Sequence, residues 1–494
     1  MPRDLQEQIE QTLHQFADLV EEALPDWVGA RDPVAFRAME LTVARVTREL
    51  ADEIVSAVLR ESLADPSFQA QTSQAARSSG RLRNGGRREL TVRLLGGGRV
   101  GVCTEYLGPD RRGRVGRPRK SRGKGGGGLY PALAALGICF GVTPALGAEV
   151  CRQVADSDSV RAGRSALARR DIDLGHKQTL RIVRCFGARA VEQRSEWLHQ
   201  ARERPLASGL LAGKRVVVAT DGGRVRERCP KRRGRPRKNG HRAYDAPWRE
   251  PKLFTIYVLN AEGKLEQSFA PVIDGTLSDA DGCFEMLVGY LRALGAHEAS
   301  EVVVAGDGAH WIWNRVTAMA HKIGIASERV VEVIDFFHAV GKLHEIVAIP
   351  AGWSSSERAR WVKRARRRLR RGDVEAVLAM IDALCVGRRA KKVRKHRGYF
   401  ADNIPRMQYA AFEKAKVPRG SGAIESAIRR VVNQRMKGNG SFWLESNAEI
   451  MLLLRSYLKT GRIDALFDWS IATAAPWWKP ELAPSLLEQP KSAA

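Results

Sequence analysis

Apolar side chains recur at helical spacing through residues 1 to about 70: Leu5, Ile9, Leu13 and Phe16, then Leu41, Val46, Leu50 and Ile54. The pattern predicts an amino-terminal helical region. Acids outnumber bases in its first stretch, which points to packing or self-association rather than DNA contact. Residues 71–128 are dominated by Ser, Gly and Arg and read as a basic linker, with one short strand-like piece at Leu90–Leu94 and a glycine run at Gly125–Gly128. Helical faces return over 129–210, at Leu167, Ile172, Leu174 and Leu180–Val183, with Gly175 as a turn. That spacing fits a helix-turn-helix and fits any small helical bundle equally well.

From 211 the pattern changes to alternating strand and helix. Arg215–Thr220 is a β-branched and apolar run with no polar break after its first residue, the mark of a strand buried on both faces. Lys252–Leu259 is a second strand, Ala261–Lys264 a turn, and Leu265–Ile273 a returning third strand. Asp279 or Asp281 caps a helix whose apolar face is Phe284, Leu287, Val288, Leu291 and Leu294. The design of the first strand recurs at Glu301–Gly308 with Asp307 at its carboxyl end, a helix follows through Trp311 and Val316, and Val330–Ile334 is another buried strand ending at Asp335. Three strands in meander, then helix, strand, helix, strand, is a mixed α/β order. It matches the ribonuclease H-like fold, with a mixed five-stranded sheet whose first and fourth strands adjoin. Residues 211–345 form the first part of this core, 346–415 a basic helical insertion, 416–465 the returning helices and 466–494 a tail.

Charge changes the picture more than composition does. Hydrophobic content of 44% is ordinary, but 82 Lys and Arg against 55 Asp and Glu give a formal charge of +27. An excess this large and this clustered points to a polyanion, with nucleic acid first. Arg111–Lys120, including Arg117 and Arg119, is closely repeated at Lys231–Lys238, with Arg233, Arg235 and Arg237. Gly-Arg-Pro flanked by arginines resembles the AT-hook, which lays Arg into a narrow minor groove; a plain phosphate-binding loop fits as well. Nine basic residues lie between Arg358 and Arg371, with Lys363, Arg367 and Arg370 as candidate DNA-backbone contacts. The seven cysteines are scattered with no C-x-x-C pair, so neither a zinc ribbon nor a disulfide framework is indicated, and a reducing cytoplasm fits. No signal-peptide layout is present, and Leu129–Val150 reads as two short buried helices rather than a membrane span.

The chemistry concentrates in three acids. Asp221 and Asp307 each end a buried strand beside glycine, the edge at which open α/β sheets collect ligands. Two carboxylates brought together there suit a hard divalent cation; either Asp alone is equally well explained as a helix cap or turn residue. Glu425 sits in the first turns of a helix entered through Gly420-Ser421-Gly422, with Ser421 as cap and Ile424, Ile428 and Val431 buried.

Thr220-Asp221-Gly222, Gly306-Asp307-Gly308-Ala309, Asp335-Phe336-Phe337-His338 and Gly420-Ser421-Gly422…Glu425…Arg435-Met436-Lys437…Trp443 together resemble bacterial insertion-sequence transposases of the ISKra group, DDE enzymes with a Mutator-like layout. The resemblance covers roughly 205–465. It implies a catalytic and metal-binding triad of Asp221, Asp307 and Glu425, holding two Mg²⁺ ions with Mn²⁺ as a substitute. Asp335 and His338 match a short signature between triad members. His338 is a candidate for orienting phosphate or water and is as easily structural; His310, Arg429 and Lys437 are candidate phosphate contacts. The implied partners are the terminal inverted repeats of the element and target DNA, bound by a homodimer or higher oligomer in the bacterial cytoplasm at the nucleoid. The relatives' cysteine-rich zinc element has no counterpart here. A nuclease or resolvase of the same fold, and a non-catalytic DNA-binding derivative, remain as alternatives.

Overall fold

The helical spacing of the first 78 residues produces α1 (Arg3–Val28), α2 (Pro33–Ala64) and α3 (Pro66–Ser78). Asp32 caps α2 by accepting from the Val34 and Ala35 N–H groups, with Pro33 in the first turn. The computed structural model describes residues 3–29, 31–78, 82–109, 128–230, 243–350, 352–438 and 440–472. They form two units, one running to Ala190 and rejoined from Asp464, the other Val191–Ile463.

In the first unit the basic segment is largely strand over 82–109, where its composition predicts linker. In place of a five-residue strand it builds an antiparallel hairpin, β1 (Leu82–Arg93) and β2 (Arg99–Pro109). The turn is held from outside the hairpin: the Asp52 carboxylate on α2 accepts from the Gly96 and Gly98 N–H groups at 3.0 and 2.6 Å. A β-carbon at Gly96 would lie 2.6 Å from that carboxylate, so the close approach requires glycine. Val92, Val100 and Val102 then pack with Leu59 and Leu63 of α2. The apolar stretch after Leu129 becomes α4 (Pro131–Ala135) and α5 (Pro144–Asp156), each with proline in its first turn. No helix among the described residues is long and apolar enough to cross a membrane. The segment with helix-turn-helix spacing is α6 (Val160–Ala168), a turn in which Asp171 takes φ 62°, and α7 (His176–Glu203).

The second unit is built on β3 (Arg215–Gly222), followed by the short strands β4 (Val225–Arg226), β5 (Cys229–Pro230), β6 (Tyr244–Asp245) and β7 (Trp248–Arg249). Next come β8 (Lys252–Leu259), β9 (Val272–Thr276), α8 (Ala280–Ala293), β10 (Glu301–Gly306), α9 (His310–Ile323) and β11 (Val330–Ile334). The main sheet has five strands in the order β11-β10-β3-β8-β9. β3, β10 and β11 run parallel, and β8 and β9 pair antiparallel. The returning strand is therefore shorter and later than Leu265–Ile273. Glu266 accepts from the Ser268 N–H and hydroxyl, which turns the chain locally; Leu265 keeps a single bridge to Leu259. Asp279, not Asp281, caps α8; Asp281 instead meets Arg315 at 2.7 Å.

Helices α10 (Phe336–Val347), α11 (Ser355–Arg370), α12 (Val374–Asp382), α13 (Ala390–Ala401) and α14 (Tyr409–Lys414) follow the sheet. The basic insertion has no core of its own. Trp361, Leu369, Val377, Ile381, Val393 and Phe400 belong to the same apolar cluster as Val216–Val218 and Val302–Val304. The chain closes with α15 (Gly422–Ile428), a π-helical turn at Arg429–Asn433, α16 (Glu445–Lys459) and α17 (Ile463–Ala472). A buried ionic knot ties α7 to the sheet's far edge. Arg194 meets Asp274 at 2.9 Å and Glu449 at 3.1 Å, and the Tyr290 hydroxyl donates to Asp274 at 2.7 Å.

Candidate active site

β10 pairs with β3 in parallel, Val302 opposite Val216 through to Gly306 opposite Thr220. Asp221 and Asp307 each follow the last of these paired positions, so they leave adjacent strands at the same level, where chains lie about 4.8 Å apart. Both carboxylates brace their own turns: Asp221 Oδ1 accepts from the Gly222 N–H at 2.6 Å, and Asp307 Oδ1 from the Ala309 N–H at 2.8 Å. Cap and site are therefore compatible readings of the same residue.

Glu425 projects from the exposed side of α15, which packs against β3 and β8 through Ile424, Ala427 and Ile428. Burial pushes the Asp221 carboxyl up to about 6, the Gly222 N–H opposes this, and the negative charges of Asp307, Glu250 and Glu425 push it further up. Asp221 and Asp307 share this strand edge by register, and the charges of Glu250 and Glu425 reach Asp221 there. Glu250 is a fourth that sequence reasoning missed. It precedes β8 and lies directly over Gly222, where a β-carbon would meet its Oε1 at 2.2 Å, and its other oxygen meets Lys252 at 3.4 Å. The signal that could have found it was its place at the start of β8, beside the end of β3 in an antiparallel pair.

Asp335 stands at the end of β11 and caps α10. It is buried, and both oxygens are engaged: Oδ1 accepts from the His338 N–H at 2.8 Å, Oδ2 from the Ser421 N–H at 2.5 Å and hydroxyl at 2.7 Å. The Ser421 hydroxyl therefore does not cap its own helix, as its sequence context predicts; it is clamped to the end of β11. Asp335 positions the helix that carries Glu425. Gly420 makes this close approach possible, since a β-carbon there would stand 3.3 Å from Asp335 Oδ2. His338 and His310 are both exposed, His338 with its ring 6.3 Å from that of Tyr399.

Tyr399, on α13, was also not legible from the sequence. Its ring lies against Gly308, beside Asp307, and its hydroxyl is buried without a hydrogen-bond partner. Burial and the charges of Asp307, Asp335 and Glu345 raise its phenol above the usual range. An unpaired buried hydroxyl is a costly feature.

Outside the rim, α11 splits cleanly: Trp361, Val362, Ala365 and Leu369 are buried, while Lys363, Arg367 and Arg370 are exposed, Arg370 reaching Glu413 at 3.2 Å. Arg429, one turn after Glu425, and Lys437 are exposed as well. π-helical turns recur at functional sites, and here one begins at Arg429. Arg117, Arg119, Arg233, Arg235 and Arg237 lie outside the described residues.

The rim offers oxygen donors only, the set that Mg²⁺ and Mn²⁺ take. As the side chains stand, no three His, Cys, Asp or Glu among the described residues come close enough together to hold a metal ion. The donor chemistry fits a hard cation, and a chelating arrangement requires the carboxylates to close further around it.

Comparison of the chain with protein-family models and with curated proteins returned no match. Among solved structures, a Drosophila P element transposase strand transfer complex is similar at 12% identity, over 70% of this chain and 83% of that one, with a TM-score of 0.22. Superposition at that level carries no argument. The functional reading rests on the geometry of the rim.

Proposed function

We propose that the chain is a DDE transposase with a ribonuclease H-like core, cleaving DNA at the ends of a mobile element and joining them to target DNA. The observation that supports this is that Asp221 and Asp307 leave two parallel neighbouring strands at one level, with the helix that carries Glu425 packed against the first of those strands. The strand order β11-β10-β3-β8-β9, numbered along the sheet as 5-4-1-2-3, supports the same core.

In this reading Asp221, Asp307 and Glu425 hold Mg²⁺, which when bound supplies charge for the attacking and leaving oxygens of an in-line phosphoryl transfer. The chain's own residues do the rest. Asp335 and Ser421 fix the entry of the Glu425 helix, and Arg429 and Lys437 present cations to phosphate. The exposed face of α11 neutralises duplex backbone, a contact that weakens steeply with salt. No side-chain nucleophile is required.

The test is incubation with Mg²⁺ and labelled DNA carrying the flanks of the gene, with cleaved and joined products scored separately. Asp221→Asn, Asp307→Asn and Glu425→Gln should each abolish cleavage and leave DNA binding intact. Cleavage at the normal rate by any of them removes that residue from the site, and cutting without joining makes the chain a nuclease of this fold.

A further inference from the structure

The short strands after Asp221 carry a feature that phosphate binding does not use. β4 pairs with β7, setting Arg226 opposite Trp248, and β5 pairs with β6, setting Pro230 opposite Tyr244. Backbone bonds fasten a later segment to them: Arg228 N–H donates to Trp443 O at 2.7 Å, and Trp443 N–H to Arg226 O at 2.9 Å. This brings Phe442 edge-on to Tyr244, ring centroids 5.5 Å apart. The Arg226 guanidinium stands 4.9 Å from the Trp248 ring centroid and 5.8 Å from that of Phe442, and Arg228 stands 4.6 Å from Tyr244. Yet Trp248 is 50% exposed and Tyr244 38%, in two-residue strands with little core beneath them.

We propose that Trp248, Tyr244 and Phe442, interleaved with Arg226 and Arg228, form a stacking platform for unpaired bases of a DNA strand held at the carboxylate rim. The proposal rests on the DNA reading above and adds the state of the DNA. Flat aromatic faces alternating with guanidinium groups match a base and its phosphate in turn, and every base offers a π-face. A paired duplex hides those faces and would leave the aromatic rings unused, so the surface suits a frayed or single-stranded end. Position agrees with chemistry: Trp248 is two residues from Glu250, which lies over Gly222, and β4, which carries Arg226, begins three residues after the β3 terminus at Gly222. A strand placed at Asp221 and Asp307 meets the platform as it leaves them.

The experiment measures binding of the full chain, by fluorescence anisotropy, to a blunt duplex, the same duplex with a single-stranded tail, and one whose tail is abasic. The tailed duplex should bind about tenfold tighter than the blunt one, with the abasic tail losing most of that gain. Trp248→Ala should bring the tailed-to-blunt ratio close to one, while Trp248→Phe keeps most of it; Tyr244→Ala provides the same ratio test should Trp248→Ala not fold. An abasic tail that binds as well as a base-bearing one overturns the proposal, as does Trp248→Ala weakening both duplexes by one factor. Sedimentation altered by Trp248→Ala without DNA would assign the surface to a second copy of the chain and overturn it too. Binding of blunt duplex with no preference for a tail sinks the platform alone, whereas no binding of any DNA sinks the DNA reading itself.

Discussion

Asp221→Asn tests the rim without requiring a substrate. In the folded chain the carboxyl is pushed from 3.8 up to about 6, first by burial and then by Asp307, Glu250 and Glu425. A shift of about two units corresponds to about 3 kcal/mol between its protonation states, and partial solvent exposure reduces this to about 1–2 kcal/mol. The sign follows from proton counting. Between pH 4 and 6 the folded state binds more protons than the unfolded one, so this group's contribution to stability falls as pH rises through that window. Below it the carboxyl is protonated in both states and costs nothing; above it the cost is complete. Asparagine keeps the acceptor for the Gly222 N–H but carries no charge. Asp221→Asn should therefore melt with the wild type near pH 4 and roughly 2–8 °C above it at pH 7.5, from the usual shift per kcal/mol for a unit of this size. Adding Mg²⁺ at pH 7.5 should raise the wild-type midpoint by ligand binding and leave the variant where it was. Thermal melts across pH, with and without Mg²⁺, read both effects. A variant less stable than wild type at pH 7.5, or a gap that does not change with pH, would refute the electrostatic account of the rim.

Tyr399→Phe removes a buried hydroxyl that has no partner, so the free protein should gain stability or lose none, by up to about 1 kcal/mol in denaturant unfolding. A loss of more than that would reveal a bond the tyrosine makes in solution. Asp335→Asn leaves the Ser421 clamp with a mismatched donor and should cost about 2–4 kcal/mol. It should also lower cleavage with little effect on duplex affinity, and full activity would show that the Glu425 helix is positioned by something else. Arg194→Met strands Asp274 and Glu449 in the interior and should cost about 3–5 kcal/mol at neutral pH, measured by chemical denaturation. An unchanged midpoint would mean that the knot contributes nothing net.

The strands were legible in the chain because burial on both faces leaves a local record. Val216–Val218 and Val302–Val304 have no polar alternation to mistake for anything else, and both are central strands. Asp221 and Asp307 could be named because each stands one step beyond such a run. The extent of β9 was not legible, since Glu266 turns the chain through a side-chain bond that apolar spacing does not register. The hairpin of β1 and β2 escaped for a related reason: its turn is stabilised by Asp52, more than forty residues earlier, while its own residues read as linker.

What sequence alone determined was the identity of the strands and of the acids at their ends, because hydrophobic periodicity and glycine punctuation act within a few residues. Only tertiary structure decided which acids share a rim and which brace it. Asp335 lies at a strand end just as Asp221 does, but one of its oxygens accepts from the His338 N–H and the other from Ser421, 86 positions along the chain. Glu250 and Tyr399 joined the rim through close packing on Gly222 and Gly308, where missing β-carbons admit them. Such approaches depend on the space between elements, and no spacing along a chain encodes that space directly.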